Sequence, residues 1–213
     1  MLGTPKRDRR AERREATRAE ILEAAWEQVR AEGLASLNLR DLAAHVGMQA
    51  PSLYSYFDSK HAIYDAMFAE GAQECLDRSR AVEASGDALR DLQAGTRMFV
   101  RFCTEDPVRY QLMFQRFIPG FEPSPESYAI SEAGLAELAR RLAGFGLRDP
   151  RLLDLYTALV TGLTDQQISN DPGGDRWIRL IDDAVTMFWD FVERQPAPKG
   201  RKRAAVSKNG PRR

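Results

Sequence analysis

Gln49, Ser52, Tyr54, Ser55 and Tyr56 fall within eight residues, carry amide and hydroxyl groups, and meet no acidic neighbour until Asp58. Groups that both donate and accept hydrogen bonds can read the edges of base pairs, and a surface free of carboxylates is one that a phosphate backbone tolerates. Such residue types suit hydrogen-bonded reading of a duplex better than bond making or breaking. They serve it only if a helix presents them on an exposed face.

The spacing supplies that helix and a second one to hold it. Leu53 and Phe57 stand four apart and form an inner stripe, which leaves Gln49, Ala50, Ser52, Tyr54, Ser55 and Tyr56 on other faces. Pro51 lies near the start, where a missing N–H is no loss, so the helix is predicted to begin at about Gln49. Upstream, Leu39, Leu42, Ala43 and Val46 recur at i, i+3, i+4 and i+7, while Arg40, Asp41 and His45 occupy the opposite face. Gly47 follows the last periodic residue, where a left-handed cap costs glycine nothing. Ala43 is small enough to let the two helices cross steeply, so residues 37–56 have the layout of a helix-turn-helix. A helical hairpin inside a bundle core has the same apolar spacing; the polar outer face of the second helix argues against it.

Enzymatic chemistry finds little support. Cys75 and Cys103 are too few for a zinc site and too far apart for a redox motif, and both lie on apolar helix faces. His45 and His61 sit within the reading region, which leaves no histidine elsewhere for a nucleophile or metal constellation. No catalytic residue, metal site or cofactor is predicted.

Residues 14 to about 70 resemble the amino-terminal domain of the TetR family of transcriptional regulators. The likeness rests on Ile21-Leu22-Ala25-Trp26-Val29, the Glu32-Gly33 stop, Leu39-Arg40-Asp41-Leu42-Ala43, Gly47-Met48, Leu53-Tyr54-Ser55-Tyr56-Phe57 and Lys60. Gln49 departs from it, standing where the family often has a capping Ser or Thr. Gln caps poorly and is free to face a base edge instead. The resemblance implies DNA contacts by Arg40, Gln49, Ala50, Ser52, Tyr54, Ser55, Tyr56 and Lys60. It also implies a homodimer on a palindromic operator, released by a small-molecule ligand.

The net charge of zero conceals an asymmetry: residues 1–20 sum to +3, residues 194–213 to +8 and the stretch between them to −11. Basic ends on an acidic body suit a protein whose arms meet phosphate, and a solubilising tail would show the same composition. Lys6 to Arg18 is the better candidate for phosphate or minor-groove contact. The basic start runs into a charge-rich helix, not an apolar segment, and no apolar run approaches the ~18 residues of a membrane span. A cytoplasmic protein with no membrane partner is expected.

Downstream, prolines and glycines punctuate further helical spacing, so the fold is predicted to be all-α with about nine helices. The organisation predicted is a basic arm over 1–13, a helix-turn-helix domain over 14–74, a helical regulatory and dimerisation domain over 75–194, and a basic tail over 195–213. The last two long helices are apolar over a wide arc, and Leu152, Leu159, Leu163, Trp177, Ile181, Val185, Phe188 and Trp189 are predicted to meet a second copy. An aromatic, sulfur-bearing group formed by Phe99, Phe102, Tyr110, Met113, Phe114 and Phe117, with Tyr156, is a candidate wall for a small apolar ligand. The same residues could equally be core. Asp165, Gln166 and Gln167 could orient a ligand or bond across the dimer, and Arg109 and Arg116 could meet an acidic ligand or face water.

Overall fold

The computed structural model describes residues 9–195. Residues 1–8 of the arm and 196–213 of the basic tail lie outside them. Nine α-helices make up the described fold, with no strand among them: α1 (Arg9–Glu32), α2 (Leu39–His45), α3 (Ala50–Leu53), α4 (Lys60–Arg80), α5 (Ala88–Glu105), α6 (Pro107–Phe114), α7 (Pro125–Gly144), α8 (Pro150–Asn170) and α9 (Ile181–Arg194). Short 3-10 turns at Leu34–Ser36 and Ile178–Leu180 precede α2 and α9.

Local chemistry explains where helices start. Side-chain oxygens of Asn38, Asp87, Asp106, Ser124 and Asp149 accept the N–H of Arg40, Arg90, Arg109, Ser127 and Arg151 at 2.9–3.2 Å. Behind three of these caps stands a proline, Pro107, Pro125 or Pro150, in the first helical position, where its φ is preset and its missing N–H unneeded. Asn38→Ala is expected to cost about 1 kcal/mol of stability, the usual worth of an amino-terminal cap, measured by urea unfolding.

The chain divides into two compact units, one formed by residues up to Gly71 together with Gln111–Tyr128, the other by Ala72–Tyr110 and the chain from Ala129 on. In the first unit, Ile21, Ala25, Trp26 and Val29 of α1 are buried with Leu34, Leu42, Ala43, Leu53, Phe57, Ile63 and Met67. Buried Tyr64 donates to the Leu34 carbonyl, and burial pushes its hydroxyl up to about 12, so it stays a donor. Trp26 Nε1 donates to Glu70 at 2.9 Å. Asp65 accepts from the Ser124 N–H at 2.7 Å and from the Ser124 and Ser127 hydroxyls at 2.9 Å, which anchors the start of α7 on α4.

In the second unit, α5, α8 and α9 enclose Leu92, Val100, Tyr156, Val160, Ile181, Val185, Phe188, Trp189 and Val192. Each such aliphatic or aromatic side chain stabilises the fold by roughly 1.5–3 kcal/mol through burial. The Thr96 and Tyr156 hydroxyls lie 2.6 Å apart in this core, and burial pushes the Tyr156 hydroxyl up to about 12.

This packing corrects the predicted interface. Leu152, Ile181, Val185, Phe188 and Trp189 are buried in the chain's own core, and Leu159 and Leu163 pack against it half-buried, as Trp177 is half-buried near α9. The outer faces carry another apolar set: Leu155, Ala158 and Gly162 on α8, Met187 and Phe191 on α9 are all exposed. Each helix bears two apolar stripes, and five of the eight predicted residues lie on the one buried in the chain's own core.

Candidate nucleic-acid interface

The connection between α2 and α3 is closed by backbone hydrogen bonds. Gly47 takes a left-handed φ of 68°, which lets its N–H reach Ala44 at 3.1 Å and the Met48 N–H reach Ala43 at 2.7 Å. Two orphan carbonyls of α2 are satisfied by this paired cap. Ala43 of α2 and Leu53 of α3 are both buried, and the two helices lie against each other.

The reading helix is shorter than its spacing predicts: α3 is a single turn, Ala50–Leu53, followed by a tight bend through Tyr54–Tyr56. Gln49 is its extended cap residue, and its side chain makes no capping bond. Gln49, Ser52, Tyr54 and Ser55 are exposed, Ala50 and Tyr56 half-buried, and Tyr54 is 52% exposed. The Ser55 hydroxyl donates to the Ser52 carbonyl at 2.7 Å, leaving its oxygen as an acceptor. Arg40 is exposed on α2. Lys60 is half-buried, with Nζ 3.1 Å from the Ala35 carbonyl, so its ammonium also secures the loop before α2.

Two arginines from the Lys6 to Arg18 range, expected on phosphate or in the minor groove, touch the same bend instead. Arg14 donates to the Ser55 carbonyl at 2.6 Å and lies 4.9 Å from the Tyr56 ring; Arg18 donates to the Tyr56 carbonyl at 3.1 Å and lies 4.2 Å from the Phe57 ring. Their signal is present in the spacing: residues 14, 18, 21, 25 and 29 form one α1 stripe, whose last three members are buried Ile21, Ala25 and Val29.

The candidate ligand wall falls on both units. Phe102, Tyr110 and Tyr156 are buried and Phe99 half-buried in the second unit; in the first, Met113 is half-buried while Phe114 and Phe117 are exposed. Leu112, not Met113, is the buried residue of that turn of α6. The Tyr110 hydroxyl donates to Asp165 at 2.8 Å. Arg109 does not face water: it is buried, lies 3.8 Å from the Phe102 ring, and donates to Glu74 at 2.6 Å and to the Phe102 carbonyl at 2.8 Å. Arg116 is exposed near Glu122. Burial pushes the Cys75 thiol up to about 11 and raises the Cys103 thiol further still, so neither is a thiolate at neutral pH.

Residues 21–67, which hold α2, the Gly47 cap and the reading turn, match the family described as bacterial regulatory proteins, tetR family. That segment is of the tetR family. An HTH-type transcriptional regulator of Mycobacterium tuberculosis is 25% identical over 132 residues, 61% of this chain and 56% of that protein, so the match spans little more than half the relative's length. A protein of unknown function from Rhodococcus sp. RHA1 superposes with a TM-score of 0.71 at 19% identity, covering 82% of this chain and 94% of that one. A TetR variant from Acinetobacter baumannii AYE in complex with minocycline gives 0.56 at 22% identity, covering 83% and 96%. These structural likenesses carry the fold, and residues 21–67 carry the segment shared with DNA-binding bacterial regulatory proteins of the tetR family. No helix of the described residues is long and apolar enough to cross a membrane.

Proposed function

We propose that this regulator is a homodimeric repressor that binds a palindromic operator and is released by a small apolar ligand. The observation that carries the dimer is the exposed apolar stripe of Leu155, Met187 and Phe191, which are 45%, 62% and 48% exposed on the last two helices. Flanking Asp183, Asp190 and Arg194 give it the polar rim of an interface. One reading turn meets too few base pairs for useful specificity, and a two-fold pair places two of them about 34–36 Å apart on a palindrome.

In this reading Gln49, Ser52, Tyr54 and Tyr56 face the major groove, with Ala50 and Ser55 beside them, and Arg40 and Lys60 lie near phosphates. The ligand enters among the aromatic residues of the second unit, a reading supported by the minocycline held by the Acinetobacter protein of the same fold. Helix α4 belongs to both units, so it is the element through which occupancy would reach the reading turn. A ligand shifts that equilibrium only by its preference for the released form. The cytoplasm is the compartment this role requires.

Selection of duplexes from a random pool at two salt concentrations tests the reading. A palindromic motif that persists at the higher salt is the expected result. Sequence-independent binding that vanishes with salt would replace it with a nucleoid-type role, which the basic ends of the chain would favour. On the selected duplex, Tyr54→Ala is expected to weaken binding at least tenfold, since removing one base-edge interaction costs about 1–3 kcal/mol and the dimer makes it twice. Its thermal midpoint should not move, because the ring is half in solvent. Unchanged affinity in a gel-shift series would remove Tyr54 from the interface.

A further inference from the structure

The reading turn has too little helix to hold itself. Within α3 and its bend, the Gln49, Ala50, Ser52 and Leu53 carbonyls find partners locally, in the N–H groups of Ser52, Leu53, Tyr54, Ser55, Tyr56 and Phe57. Further along the bend, the Ser55 and Tyr56 carbonyls take theirs from α1 instead: Arg14 at 2.6 Å and Arg18 at 3.1 Å. Both guanidiniums also lie against the rings of the following residues, 4.9 Å from Tyr56 and 4.2 Å from Phe57. A planar cation that donates in its plane and stacks on its face fixes a loop in two directions at once. Arg18 is half-buried on the same α1 stripe as Ile21 and Ala25, so its place is set by the core.

We infer that Arg14 and Arg18 are positioning residues, a two-arginine clamp that fixes the carbonyl end of the reading turn on α1 and so sets how Tyr54 and Ser52 meet a duplex. Basic residues this close to a DNA-reading helix would ordinarily be assigned to phosphate. The two roles make opposite forecasts. An arginine on phosphate neutralises it: lysine keeps the charge and with it most of the salt dependence, removal weakens all sequences alike, and in the alanine variant the salt dependence of log K flattens by about 0.9 for each phosphate no longer neutralised. A clamp needs the fork and the flat face, so lysine does not replace it. Its loss harms specific binding while nonspecific binding and the salt slope stay as they were.

The inference rests on the DNA-reading role of this turn, and the test keeps the two separable. Full-length Arg18→Lys, Arg14→Lys and the corresponding alanine variants would be titrated, over a salt series, with the duplex that wild-type protein selects from a random pool and with a scrambled duplex. Thermal midpoints of all four would be recorded alongside. The expected result is that Arg18→Lys loses about tenfold on the selected duplex, comparable to Arg18→Ala, with wild-type slope and wild-type scrambled-duplex affinity. Arg14→Lys should change in the same sense by a smaller factor, since Arg14 is exposed. Should Arg18→Ala fail to fold, the lysine variants and Arg14→Ala carry the same contrast. Restoration by lysine with a flatter alanine slope would overturn the clamp in favour of phosphate binding, and so would variants that all bind as wild type. Wild-type protein that selects no duplex would overturn the reading turn itself and the clamp with it.

Discussion

Replacing Met187 and Phe191 together by aspartate should turn the regulator into a folded monomer that has lost operator binding by about a hundredfold or more. Their 62% and 48% exposure means that little of either side chain is needed by the chain's own core. The two stand one helical turn apart, in line with Asp183, and the neighbouring α8 presents exposed Leu155, Ala158 and Gly162 at i, i+3 and i+7. A small-residue stripe beside two bulky apolar side chains lets helices approach closely, and a two-fold axis makes each patch its own complement. Four aspartates across that axis would put like charges into a space that excludes water, a penalty of several kcal/mol. Loss of the second half-site then removes the gain of linked binding, which amounts to about 10²–10⁴ in affinity. Light scattering after size exclusion and a gel shift on the selected duplex read both effects. Phe188→Asp supplies the contrast: this neighbour of Met187 in sequence is buried beside Tyr156, ring centres 5.4 Å apart, so the substitution should unfold the second unit instead of dissociating a dimer. A double variant that remains dimeric would move the interface elsewhere.

That contrast marks where sequence reading succeeds and where it stops. The helix-turn-helix was legible because each step is local: a 3.6-residue stripe in α2, a glycine where φ must be positive, a proline at the start of α3. The capped starts of α5, α6, α7 and α8 were legible for the same reason, an oxygen-bearing residue followed by proline or a helical run. Periodicity states that Val185 and Phe188 share one face of α9 and that Met187 and Phe191 share another, yet it does not state which face meets α5. Only packing decides that. Charge likewise placed Arg14 and Arg18 among the Lys6 to Arg18 candidates for phosphate contact, although their register puts them on the α1 stripe of Ile21 and Val29. Charge was weighed as a sum when position within the helical repeat was the informative quantity. The length of α3 was overestimated because Leu53 and Phe57 keep helical spacing through a bend that is not helix.

Gln167→Leu is expected to lower the stability of the second unit by about 2–4 kcal/mol, although it swaps one side chain for another of similar size. By its sequence the polar run Asp165-Gln166-Gln167 was a candidate for ligand or partner contacts. The structure gives each residue a different task. Asp165 accepts from Tyr110, exposed Gln166 bonds Asn170 at 2.8 Å, and Gln167 is buried at 1% exposure. Its carbonyl oxygen accepts the Trp177 N–H at 2.9 Å and the Ile178 N–H at 3.3 Å, while its amide nitrogen donates to the Asp171 carbonyl. One side chain thereby ties together the two ends of the Asp171–Ile178 loop. Leucine would leave the Trp177 and Ile178 N–H groups without their acceptor, while the Asp171 carbonyl keeps the Gly174 N–H at 3.1 Å, and each unsatisfied buried group costs about 1–3 kcal/mol, less where water can reach it. For a chain of this size a loss of 2–4 kcal/mol lowers the thermal midpoint by about 4–16 °C, read by circular dichroism at fixed protein concentration so that assembly does not enter. The loop leads directly into the 3-10 turn and α9, so the variant should also weaken dimerisation with Met187 and Phe191 intact. An unchanged midpoint would mean that the loop is held by its own turns, and that Gln167 is free for the ligand or partner role its sequence suggested.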